Sequence, residues 1–289
     1  MFEQQTITAN GVEFAVLACG SGPLILCLHG FPDHARSFRA QMPALAAAGY
    51  RVVAPYMRGY APTRESDAAS RQTARLGQDA VALIEALGGK AAALVGHDWG
   101  AAAAYAAALI APERIDRLVT MAVPYGPSFR NALLSDPAQQ KRSWYMFFFQ
   151  MPFAGAALAH DDFALVEQLW RDWSPGWSLE PAELAALKAT FRSEGVCEAA
   201  LGYYRDNFQP GRQDPALAAL QGRIGQDPIA VPTTYLHGAR DGCIGVDLSD
   251  GMDALFPAGL RRHVLADAGH FLHQEKPEQV NELLLDALR

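Results

Sequence analysis

Cysteine is scarce. The 289 residues hold four, at Cys19, Cys27, Cys197 and Cys243. None forms a CxxC pair and none sits at zinc-finger spacing from a histidine, so a disulfide scaffold and a structural zinc module are not expected. The thiols read as reduced and mostly buried. A Lys/Arg run is also missing, and 24 basic against 31 acidic residues leave a net charge of −7. Nucleic acid is therefore not an expected partner, and the acidic balance argues mainly for solubility. No stretch of about 18 apolar residues escapes interruption by charge, Gly or Pro, so no membrane span is expected. The opening MFEQQTITANGVEF lacks a basic region ahead of an apolar run, which argues against a secretory signal. The expectation is a soluble cytoplasmic protein. The composition leaves a homodimer open.

What is present supports a large core. Half the residues (50%) are apolar and 19% are charged, a balance that disfavours disorder. The first third alternates strand and helix patterns. Strands are expected at Val12–Ala18 after the Asn10-Gly11 turn signal, and at 24–28, 50–54, 91–95 and 117–123. Helices are expected at 37–48, 72–87 and 101–110, with Gly49 and Gly88-Gly89 as stops. This order predicts a mostly parallel sheet covered on both faces. From Tyr125 to Gly222 the rhythm changes. Helix-like stretches, aromatics and, between Pro127 and Pro181, five prolines (Pro127, Pro137, Pro152, Pro175 and Pro181) replace the strands. Strand patterns resume at 233–236 and 262–265, with a short helix near Ala254 and a final helix at 277–288. The reading is an α/β core, residues 1–124 and 223–289, interrupted by a helical lid at 125–222.

One turn stands out for chemistry. A strand runs into Gly96-His97-Asp98-Trp99-Gly100, and an alanine-rich helix follows. A nucleophile on a sharp strand-to-helix turn needs small neighbours, because its backbone is strained and the flanking chains pass close. The helix N-terminus adds free N–H groups and positive potential beside the carboxylate. The plainer alternative makes Asp98 a helix N-cap in a glycine-flanked turn.

Together with His29-Gly30-Phe31-Pro32, this segment resembles the epoxide hydrolase branch of the α/β-hydrolase superfamily. The resemblance covers nearly the whole chain. It implies an α/β-hydrolase fold with Asp98 as covalent nucleophile, and an oxyanion hole from the backbone N–H groups of Phe31 and Trp99. The chain order of such enzymes places a histidine late, here His270 in Asp267-Ala268-Gly269-His270, with His273 as the competing position. The other histidines read as structural. The orienting acid belongs after the strand before the lid or after the strand behind it. Val123-Pro124-Tyr125 has no carboxylate, whereas Leu236-His237-Gly238-Ala239-Arg240-Asp241 ends in one. Asp241 is the candidate, with Asp247 as fallback.

The lid separates the possible chemistries. A carboxylate can displace a halide unaided, but an epoxide oxygen leaves as an alkoxide and needs an acid, for which a tyrosine hydroxyl serves. Trp144-Tyr145 through Phe149-Gln150 resembles the first tyrosine motif of epoxide hydrolase lids, which places Tyr145. Tyr203-Tyr204-Arg205 resembles the second, which places Tyr204. Neighbours on a helix point about 100° apart, so Tyr203 and Tyr204 should not both face the site. The resemblance implies opening of a small hydrophobic epoxide by water to a vicinal diol, with no metal or organic cofactor. A haloalkane dehalogenase would share Asp98, but such enzymes commonly place Asn where Phe31 stands and have no use for the tyrosines. A non-catalytic binding protein on the same fold would be expected to have a broken triad.

Overall fold

Leu24–Leu28 is apolar at every position, and all five residues are buried. A strand sandwiched between two helical layers must be apolar on both faces, and this one is. The computed structural model describes residues 2–65 and 70–289. Among these, nine strands form one sheet: β1 (Glu3–Ala9), β2 (Val12–Cys19), β3 (Leu24–Leu28), β4 (Arg51–Pro55), β5 (Arg64–Glu65), β6 (Ala93–His97), β7 (Leu118–Met121), β8 (Thr233–Gly238) and β9 (Leu260–Leu265). Their order is β1-β2-β4-β3-β6-β7-β8-β9, with β5 paired to β2. From β4 through β9 every pair is parallel, with Leu26 opposite Leu94 and Leu28 opposite Gly96. The protein has the α/β-hydrolase fold.

Alternation along the strands divides the core in two. Leu26 and Leu94 face one side, where the helices Thr73–Ala86 and Trp99–Ile110 pack. Ile25, Cys27 and Val95 face the other, against the helices Gln41–Ala47 and Pro277–Ala287. Gly77 shows why the Trp99–Ile110 helix is so rich in alanine: a Cβ at Gly77 would overlap Ala106. The two helices touch almost backbone to backbone.

Two local expectations change. The helix foreseen at 37–48 is a 3₁₀ turn at Ala35–Phe38 followed by an α-helix at Gln41–Ala47. Pro43 sits in the first turn of the second piece, where a missing N–H costs nothing. Strand β1 was not foreseen, because Ile7 is its only large apolar residue and most of it is exposed. It forms by hairpin pairing to β2 through Asn10 and Gly11, whose φ values of 44° and 72° suit a tight hairpin turn. The cysteines are all free, but only Cys27 and Cys243 are fully buried.

Between β7 and β8 the chain is helical, from Ser128–Ser135 to Ala218–Arg223. The longest piece, Ala154–Trp173, is broken at His160–Phe163. Among the described residues, no helix is long and apolar enough to cross a membrane.

Candidate active site

Sheet order places the site. After β3 the chain moves outward to β4, then returns to form β6 on the other side of β3. The carboxyl ends of β3 and β6 therefore diverge, and in open α/β sheets such a switch point leaves a crevice. His29-Gly30-Phe31-Pro32 leaves β3 there, and Asp98 leaves β6. Asp98 has φ 54° and ψ −120°, a strained conformation for a residue with a side chain. Glycines make it possible. A Cβ at Gly96 would overlap the Gly100 carbonyl, one at Gly100 would overlap the Leu28 carbonyl, and one at Gly30 would overlap the Asp98 carboxylate.

The Phe31 N–H donates to Asp98 Oδ1 at 2.7 Å. Trp99 opens the following helix, so its N–H is free of intrahelical bonding. On the other side, His270 Nε2 lies 3.6 Å from Asp98 Oδ2. That is too long for a hydrogen bond, and Nε2 has no hydrogen-bond partner. The opposite ring nitrogen, Nδ1, is 2.9 Å from Asp241 Oδ2. Asp241 Oδ1 accepts the backbone N–H groups of Cys243 (2.7 Å) and Ile244 (2.9 Å). Asp98, His270 and Asp241 thus form one chain of contacts. The alternatives lie elsewhere: His273 Nε2 is 2.6 Å from the Ser37 hydroxyl, and Asp247 is exposed.

Burial opposes the charges on this pair, and the pairing overcomes it. Burial would raise the Asp241 pKa, but His270 and hydrogen bonds from His237 and His270 hold it well below the usual carboxylate range. Burial would lower the His270 pKa, yet Asp241 and then Asp98 push it up to about 10. His237 was read as a structural histidine and was missed as a partner of the acid. Its Nε2 lies 3.2 Å from Asp241 Oδ2 and 3.1 Å from the Ile244 carbonyl. With the Tyr235 hydroxyl 2.5 Å from its Nδ1, the consistent tautomer carries the proton on Nε2 and donates it toward the acid.

The helical segment contributes the opposite wall. Asp98, Trp99, Tyr145, Tyr204, Val123 and Ile244 line a cavity of about 850 Å³. The rings of Tyr145 and Tyr204 are 5.6 Å apart and nearly perpendicular. The Tyr204 hydroxyl is buried without a hydrogen-bond partner, and the Tyr145 hydroxyl meets Cys243 Sγ at 3.3 Å. Burial, reinforced by nearby groups that include Asp98, raises both phenols well above their ordinary pKa, so both stay protonated. Tyr203 turns away, and its hydroxyl donates to the Arg58 carbonyl at 2.8 Å.

A brace from the same segment was also missed. Trp170 donates its indole N–H to the Pro32 carbonyl at 2.9 Å and stacks on Phe271 with ring centres 3.5 Å apart. The His270 N–H donates to the Trp173 carbonyl, and the Ser174 hydroxyl accepts the Phe271 N–H while donating to Glu275. Residues 170–174 therefore hold the turn at His29–Pro32 and the loop carrying His270 together. Only the crowding of tryptophan at Trp170, Trp173 and Trp177 hinted at this in the sequence.

Residues 23–277 match the family described as alpha/beta hydrolase fold. The chain belongs to the α/β-hydrolase fold family. Its relatives place it in the epoxide hydrolase branch. It is 31% identical to epoxide hydrolase 3 of Xenopus tropicalis, over 97% of this chain and 76% of that protein. It is 29% identical to epoxide hydrolase A of Mycobacterium tuberculosis, over 99% of this chain and 97% of that one. The crystal structure of Bacillus megaterium epoxide hydrolase in complex with an inhibitor superposes with a TM-score of 0.84. It is 29% identical, covering 98% of this chain and 99% of that one.

Proposed function

We propose that this α/β-hydrolase is an epoxide hydrolase, with Asp98 as nucleophile, His270 and Asp241 as the base and its orienting acid, and Tyr145 and Tyr204 as acids. Residues 125–222 act as the lid and residues 1–124 with 223–289 as the core. The observation that carries this reading is the presence of two protonated tyrosines in one cavity with Asp98. A hydrophobic epoxide suits the aromatic walls.

Asp98 Oδ1 rests on the Phe31 N–H, which leaves Oδ2 to attack the epoxide carbon. The C–O bond breaks as the tyrosines hydrogen-bond the oxygen and supply a proton. An ester of Asp98 forms, and Oδ1 becomes its carbonyl oxygen. The Phe31 and Trp99 N–H groups then hold the negative charge that develops there when water attacks. Esterification also removes the Asp98 charge, which adds to the larger effect of Asp241 in favouring the His270 cation. The proton that His270 gives up restores the tyrosine, and the neutral imidazole then takes a proton from the attacking water. The diol leaves and Asp98 is regenerated.

Incubation with styrene oxide and, separately, a haloalkane tests the reaction by measuring diol and halide. Diol is expected, and halide without diol would overturn the proposal. Asp98→Ala should abolish the diol. His270→Gln should trap the ester as a mass increase on the peptide containing Asp98.

A further inference from the structure

The proposed reaction leaves one polar side chain beside the triad without a task. Cys243 is fully buried, two residues beyond the acid. Its N–H donates to Asp241 Oδ1 at 2.7 Å, and its carbonyl accepts Gln139 Nε2 at 2.8 Å. The backbone is thus pinned so that the thiol sits against the acid–histidine pair. We propose that Asp241, Cys243 and His270 form an inhibitory site for a soft divalent cation such as zinc or cadmium.

The donors are an oxygen, a sulfur and a nitrogen, all within 4.8 Å of one another. A tetrahedral zinc ion with bonds of about 2.0–2.3 Å needs its donors roughly 3.3–3.6 Å apart. Asp241 Oδ2 and His270 Nδ1 already approach to 2.9 Å. The longest gap needs to close by about 1 Å, within reach of rotation about the Cys243 Cα–Cβ bond. The thiol gives up only a 3.3 Å sulfur contact to the Tyr145 hydroxyl. His237 Nε2, 3.2 Å from Asp241 Oδ2, orients the carboxylate ligand from behind. Asp98, Tyr145 and Ile244, which line the cavity, each adjoin one of the three donor residues.

The binding step balances simply. Two protons leave to solvent, one from the Cys243 thiol and one from the His270 cation, and the resulting thiolate and the Asp241 carboxylate neutralise the dication. His270 binds as neutral imidazole. If the ion takes Nδ1, the proton stays on Nε2 and that nitrogen accepts nothing; if it takes Nε2, the base is occupied. Either geometry stops ester hydrolysis. Thiolate ligation selects zinc or cadmium over magnesium or calcium. This loss of activity rests on the reading of His270 as base, but cation binding does not.

The test titrates the metal-free full-length protein with cadmium chloride. The readouts are the thiolate-to-cadmium charge-transfer absorption and bound cadmium by equilibrium dialysis. In parallel, diol formation is followed with zinc chloride and then EDTA. One equivalent of cadmium is expected, with a charge-transfer band, reversible inhibition by zinc and no effect of magnesium. Cys243→Ala should lose the band and raise the inhibitory zinc concentration about tenfold or more, each protein being compared with its own metal-free rate. Cys243→Ser makes the same comparison should the alanine variant not fold. No band in the wild type, or the same band and zinc sensitivity in both proteins, would overturn the proposal. Absence of diol without metal would sink the epoxide reading and leave the cadmium result standing.

Discussion

Gly30 has no side chain because the Asp98 carboxylate occupies that space. The pairing joins the turn after β3 to the turn after β6, and the 2.7 Å bond from Phe31 depends on it. Gly30→Ala should keep the fold but push the Asp98 carboxylate aside. A displacement near 1 Å is worth about a hundredfold in rate, so kcat/KM should fall by about that factor, and the overlap with Asp98 Cβ as well as its carboxylate should also lower the melting temperature. The tyrosines differ in another way. The Tyr204 hydroxyl is buried without a partner, whereas that of Tyr145 meets Cys243. An unpaired buried hydroxyl costs about 1–3 kcal/mol. Tyr204→Phe should therefore hold or raise the melting temperature while slowing ester formation by about 10²-fold or more. A single-turnover burst together with a thermal melt would separate these effects, and a stability loss would show that the hydroxyl has a structural task.

At the scale of elements, the decisive unit is the C-terminal end of the Ala154–Trp173 helix. It touches Pro32 through Trp170 and the histidine loop through Trp173 and Ser174. Burial of an indole is worth about 3–5 kcal/mol when truncated to alanine. Trp170→Ala should lower stability by about that amount in a urea titration and slow both chemical steps. Trp144→Ala, in the separate helix Trp144–Phe148 and exposed, should cost far less. The strands of the parallel sheet were legible because continuous burial demands continuous apolar runs. Strand β1 was not, since an edge strand needs only backbone partners.

Across the whole molecule, contacts between distant segments carry what no local pattern shows. Arg58 bonds Asp79 through Nε and Nη2, both at 2.7 Å, and approaches Glu65 at 3.3 Å. Its carbonyl receives the Tyr203 hydroxyl, so one residue links the core helix Thr73–Ala86 to the helix Val196–Phe208 and helps turn Tyr204 toward Asp98. Breaking a buried pair leaves a charge unpaired, at a cost of about 3–5 kcal/mol. Arg58→Ala should lose about that much stability in a urea titration, and an unchanged midpoint would show the network to be idle.

The sequence alone carried the fold class and the strained turn at Asp98. Both follow from local rules: period-two and continuous apolar runs, and the need for glycine where backbones touch. It also brought the candidates down to His270 or His273 and to Asp241 or Asp247. Tertiary structure decided what depends on direction and distance. His270 Nδ1 lies on Asp241 while His273 lies on Ser37. His237 backs the acid, Cys243 meets Tyr145, and the Trp170 brace locks the histidine loop. These contacts join residues far apart in the chain, and a contact across the fold leaves no periodic signal in either partner's sequence.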